Sequence, residues 1–237
     1  MIFLLQQRND RLELPPAHHV PGNQHDLLAV FFSKFMLVLE MIGHALNMYC
    51  DRILAVFPNG KLTLKNLKDL CEGDHMAKLM AGVSEKIPMR SAILGAFSLF
   101  FQFLGYFALT AYIYSHSKIY GSILFVSIVL FITIGTAHHV KYALSEYVFL
   151  KLGRNETAKS LMLDLFNSSP ITRICYAGYL VYIITLIVAI VTGVAAFPLW
   201  AVIFTILPVF IILFPFRIIG TLHIAAIASM LVWLILI

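Results

Sequence analysis

Six long stretches of this chain run nearly free of charge, at 28–50, 91–114, 120–147, 174–195, 199–216 and 219–237. An apolar stretch of about 18 residues or more with few charges reads as a membrane-spanning helix. Inside hydrocarbon every backbone polar group must be satisfied within the structure, which leaves helices or closed barrels as the spanning forms. Stretches this long predict an all-α fold: a polytopic helical membrane bundle with about six transmembrane helices. The fifth and sixth stretches are short and meet at Pro215, Arg217 and Gly220, so a single bent hairpin is the alternative there. Composition agrees, with 60% hydrophobic and 12% charged residues. Soluble domains carry about 45–50% apolar and about 25% charged residues.

Lysine and arginine placement orients the bundle. Arg52, Lys61, Lys65, Lys68, Lys78, Lys86 and Arg90 follow the first span; Lys151, Arg154, Lys159 and Arg173 follow the third, and Arg217 the fifth. The other side holds only Arg8, Arg11 and Lys118. The positive-inside tendency makes the loaded side cytoplasmic and places both termini outside the cell membrane. The basic pI of about 9.1 follows from this bias. Because the basic residues are dispersed among acids, no nucleic-acid partner is implied; the partners expected are the lipid bilayer and a small polar solute. Cys50, Cys71 and Cys175 fall near the cytoplasmic side and form no C-x-x-C pair, which argues against a disulfide framework. The sequons at Asn155 and Asn167 fall on that side too and are accidental by this reading.

Residues 1–27, with Pro15, Pro16, Pro21, His18, His19 and His25, read as a loose extracytoplasmic tail. A single transmembrane domain over 28–237 follows, with cytoplasmic loops at 52–90 and 151–173. In the first loop the Pro58-Asn59-Gly60 turn precedes Leu62, Leu64, Leu67, Leu70 and Cys71 at helical spacing, which predicts a short amphipathic helix. The second loop is amphipathic over Leu161 to Phe166. Tyr112, Tyr114, Tyr120, Tyr182 and Trp200 fall near span ends and read as interface anchors.

Two polar stripes interrupt the spans. Glu40, His44, Asn47 and Asp51 recur in the first, and Gly135, His139, Tyr142 and Glu146 repeat the same spacing in the third. At about 3.6 residues per turn each set occupies one helix face. Ionisable groups at membrane depth are costly and usually face a bundle interior, which makes them candidate functional groups. With Arg90, Arg154, Arg217 and His223 at the same side, the stripes are expected to converge on one cytoplasm-facing polar pocket. Three chemistries would use them. Acid–imidazole chains relay protons or bind a small polar solute. His44, His139 and Glu146 offer a ligand set for a divalent metal, and hence a membrane-embedded metal-dependent enzyme. His44 and His139 would also suit the two axial positions of a haem. Beside these stands a structural scaffold in which polar residues only hold helices together, Asp51 paired with Arg90 and Glu146 with Arg154 or Lys141. Neither a G-x-S-x-G elbow nor a phosphate-binding loop occurs.

A further set of marks runs in order along the chain. Asp51 leads to Pro58-Asn-Gly60, then Pro88-Met-Arg90, Gly105-Tyr-Phe, His138-His139, Glu146-Tyr147 and Leu152-Gly-Arg154. Gly178, Gly193, Pro198-Leu-Trp200 and Pro215-Phe-Arg217-Ile-Ile-Gly220 complete it. Over roughly residues 35–237 this resembles a family of multi-pass bacterial membrane proteins of unknown function, although Tyr147 stands where the pattern has Trp. The resemblance implies a compact helical membrane domain with Asp51, Arg90, His139, Glu146, Arg154 and Arg217 as family positions, and no activity.

Overall fold

The computed structural model describes residues 24–63, 66–167 and 170–237. Most of the expected N-terminal tail lies outside them, and helix α1 already runs from Gln24 to Ala55. A two-residue hairpin pairs β1 (Val56–Phe57) with β2 (Gly60–Lys61) across the Pro58-Asn59 turn. Short helices α2 (Leu67–Leu70) and α3 (His75–Leu79) lead to α4 (Lys86–His116) and α5 (Lys118–Lys151). After α6 (Glu156–Asn167) and α7 (Ile171–Val191) come α8 (Ile206–Leu213), flanked by 3-10 turns, and α9 (Thr221–Leu236). The expected amphipathic helix after the hairpin is only the single turn α2, because Leu62 continues the extended chain and its N–H donates to the Ala55 carbonyl at 2.8 Å.

Among the described residues four helical stretches are long and apolar enough to cross a membrane: Leu28–Ala55, Lys86–His116, Lys118–Lys151 and Glu156–Val191. The fifth expected span is not one helix. Pro198 precedes a 3-10 helix over Leu199–Phe204, Pro208 falls in the first turn of α8, and Pro215 lies in a second 3-10 turn. A proline supplies no N–H and clashes with the preceding turn, so Pro198 and Pro215 fall at interruptions while Pro208 is tolerated in the first turn of α8. The broken passage still runs between the two ends of the bundle. Phe197 stacks on Tyr112 near the end of α4, with ring centroids 4.7 Å apart, and packs on Trp233 near the end of α9. At the other end His223, in the first turn of α9, reaches Asp51 in the last two turns of α1.

The long helices form an antiparallel series. α1 packs on α4, α4 on α5, α5 on α7, and α9 returns to α1. α4 is the helix that both striped helices pack against, and its contact face is small and polar: Ser91, Gly95, Ser98, Gln102 and Gly105 are all buried. Two of these are glycines for a steric reason. A Cβ on Gly95 would overlap the His139 ring of α5, and one on Gly105 would overlap the Glu40 side chain of α1. Small residues that let backbones approach are what drives association where lipid tails are as apolar as leucine. The outward faces carry Phe31, Phe35, Phe97, Val126, Ile184 and Ile211, all exposed, as a lipid-facing belt requires.

The two loops fold together into a cap. Phe57, Met76, Met80 and Val83 pack with Phe149, Ala158 and Met162 in a core separate from the bundle's. Arg154 donates to the Val83 carbonyl at 2.6 Å, and the buried Lys159 donates to the Gly73 carbonyl at 2.6 Å. Asn59 donates from Nδ2 to the carbonyls of Lys78 and Ala81, at 3.1 and 3.0 Å. Asn59→Ala leaves both carbonyls to water and should cost the cap about 1–3 kcal/mol. Limited proteolysis is expected to cut faster within residues 56–83 of that variant, with the long helices still protected.

Candidate functional site

The stripe of α1 meets a stripe the sequence does not advertise. Asp51 Oδ2 lies 3.2 Å from His223 Nε2 on α9. His223 Nδ1 is 3.0 Å from His44 Nδ1, and His44 Nε2 is 3.1 Å from the hydroxyl of Tyr106 on α4. That hydroxyl is 2.7 Å from the hydroxyl of Tyr179 on α7. The Asp51 side chain is 38% exposed, whereas Tyr106 is fully buried. Four helices thus contribute one continuous chain of polar atoms, leading from the surface into the middle of the bundle.

A single set of tautomers satisfies every link. Tyr179 O–H donates to the Tyr106 oxygen, and Tyr106 O–H donates to His44 Nε2. His44 Nδ1–H donates to His223 Nδ1, and His223 Nε2–H donates to the Asp51 carboxylate. Reversing each hydrogen bond carries one proton the length of the chain without moving a heavy atom. Glu40, one turn before His44, is fully buried with its Oε1 3.7 Å from His44 Nε2. Neither of its oxygens has a hydrogen-bond partner among the described residues. An ionised carboxylate so placed is costly unless a cation lies against it. Glu40 and His44 can therefore be neutral acid beside imidazole, or carboxylate beside imidazolium, the two differing by the position of one proton.

The second stripe makes no hydrogen bond to this chain among the described residues. His139 Nε2 lies 3.1 Å from the Ser91 carbonyl and 3.3 Å from its hydroxyl, joining α5 to α4. Tyr142 stacks on Phe166 of α6, with centroids 4.7 Å apart. The scaffold pairs expected for the acids do not form among the described residues. Asp51 takes His223 as its partner, while Arg90 is exposed with its guanidinium 5.5 Å from the Tyr49 ring centroid. Glu146 Oε2 is buried without a partner, Lys141 lies 5.5 Å from the Tyr142 ring centroid, and Arg154 serves the cap. Arg217 is exposed in a left-handed turn before α9. Buried Asn47 completes the α1 stripe, its Oδ1 unpartnered.

His44, His139 and Glu146 are engaged in different places. Among the described residues no group of three or more His, Cys, Asp or Glu is placed to hold a metal ion. Both ring nitrogens of His44 already have protein partners, which leaves none for a haem iron. Clefts of about 390 and 420 Å³ lie between α4 and α5, lined by residues such as Phe100, Val129, Phe107 and Phe125. A third, of about 320 Å³, lies on the cap beside Asn59 and Lys78. None of the three is lined by a stripe residue.

Sequence reasoning missed Tyr106, Tyr179 and Ser91, and misplaced Tyr182. Tyr182 is fully buried and donates to the Tyr106 carbonyl at 3.2 Å, so it belongs to the core and not to the interface. The recurrence of Tyr176, Tyr179 and Tyr182 every third residue was the available signal, since it sets three hydroxyls along an otherwise apolar helix.

A helical bundle with an apolar exterior and a polar chain sealed at mid-depth is a membrane protein. The chain belongs to the family of unknown function DUF6796, whose profile matches residues 33–233. No curated protein and no solved structure matches it.

Proposed function

We propose that this protein binds and moves protons. Asp51, His223, His44, Tyr106 and Tyr179 form the relay, and Glu40 is the buried group that stores the proton. The observation that carries this reading is the unbroken run of contacts, none longer than 3.2 Å, from half-exposed Asp51 to Tyr179. Imidazole exchanges protons near neutral pH, and Asp, Glu and His chains at membrane depth characteristically serve this purpose. The same residues lie against one another at hydrogen-bond distances, which favours a proton over a larger solute.

Asp51 opens to the cytoplasm in this scheme, following the lysine and arginine bias. Beyond Tyr179 the core is apolar, with Leu109, Ile113, Leu124 and Ile128 fully buried. Release on the far side therefore requires that half of the bundle to open. His139 and Ser91 lock α5 to α4 beside the relay.

The test is collapse of an imposed pH gradient in liposomes, read with an entrapped pH dye. Vesicles containing the protein should equilibrate faster than empty ones, and Asp51→Asn should slow them about tenfold, because water at the half-exposed entrance substitutes for part of the lost link. Equal rates with and without protein would overturn the proposal.

A further inference from the structure

Glu40 of α1 and Gln102 of α4 are each buried and unpartnered where the two helices cross. Glu40 backs onto Gly105. Gln102 lies one turn before Gly105 on the same face of α4, and a Cβ on Gly43, one turn after Glu40, would sit 2.9 Å from the Gln102 backbone nitrogen. Both side chains are fully buried, and neither has any hydrogen-bond partner among the described residues. Most buried polar groups are satisfied, so two orphans at one crossing call for a missing guest. Their inventory defines its charge. Together they offer three acceptor oxygens, Glu40 Oε1 and Oε2 and Gln102 Oε1, and one donor, Gln102 Nε2. An excess of hard oxygen acceptors carrying a single negative charge suits a small monovalent cation. Calcium takes six to eight oxygens and generally more carboxylates.

We infer that Glu40 and Gln102 form a sodium-binding site between α1 and α4, at which Na⁺ and a proton exclude one another. The inference rests on the relay reading, since Glu40 is the residue both ions share. When Na⁺ enters, the Glu40 O–H bond breaks, the proton passes to His44 and out along the relay, and the carboxylate keeps the electron pair as a ligand. A water takes the Gln102 Nε2 hydrogen and a remaining position on the ion. The titratable groups facing Glu40 are His44 on α1, Tyr106 on α4 and Tyr179 and Tyr182 on α7, with His223 of α9 one link further.

Reaction of the full-length protein in detergent with dicyclohexylcarbodiimide, which modifies protonated carboxyls in apolar surroundings, tests this. Peptide mass mapping reads modification at Glu40. Sodium chloride at about ten times its Kd should slow the reaction about tenfold, by mass action. N-methylglucamine chloride should not slow it. Gln102→Leu should still react but lose the protection. Retention of radioactive sodium, one ion per chain in the wild type and none in Glu40→Gln, is the second reading. Modification at the same rate in both salts, with no sodium retained, overturns the sodium site and leaves the relay standing. Absence of modification in either salt counts against the relay, and sodium retention then decides the site alone.

Discussion

Replacing His44 with Phe should abolish protein-dependent collapse of a pH gradient, slowing it at least about 100-fold, the range in which a positioned acid–base group acts. His44 is the one residue that touches both halves of the relay, with His223 on one nitrogen and Tyr106 on the other. It is also the nearest base to Glu40. Phe fills a similar volume, so the packing of α1 against α4 and α9 is kept while both hydrogen-bond links disappear. Circular dichroism and gel filtration of the purified variant should match the wild type. A variant that is folded and equally fast would mean that protons do not pass through His44.

The second large effect is on folding. Gly105→Val introduces a Cβ and two methyl groups where the Glu40 side chain already lies. Overpacking usually costs about 1–3 kcal/mol and more where nothing can yield. Here the opposing atoms belong to a buried carboxylate, so the cost is placed at the top of that range or above it. The expected result is a large drop in thermal midpoint and loss of the monodisperse peak in detergent. Gly82→Ala is the matching control: that glycine has no neighbouring atom within 4 Å of the added carbon. Its positive φ confines the penalty to local strain in a surface turn.

These two sites show what the sequence could and could not convey. The spans over α1, α4, α5 and α7 were legible because length and apolarity alone specify a helix in hydrocarbon. The α1 stripe was legible because its polar residues stand out at helical spacing. His223 begins α9 at the end of the bundle where Asp51 lies near the end of α1. The pairing of helices was not legible. Whether His44 would meet His139 or His223 depends on which helices are neighbours, and nothing local in α1 encodes that it packs on α4 and α9. The small-residue face of α4, from Ser91 through Gly105, is visible afterwards as the reason. The fifth stretch differs because hydropathy counts Pro198 and Pro215 as mild residues, although both fall where the helix is interrupted. The position of Tyr182 near an apparent span end suggested an interface, yet it turns inward to the Tyr106 carbonyl.

Protonation of Glu40 is the centre of this account, and pH-jump infrared difference spectroscopy reads it most directly. In the wild type an alkaline jump should remove a protonated-carboxyl band that is absent from Glu40→Gln. In His44→Phe the same band should respond at least about 100-fold more slowly. A spectrum without any carboxyl change assignable to Glu40, or one with the same kinetics in wild type and His44→Phe, would contradict the relay and leave the buried polar chain as a device for packing alone.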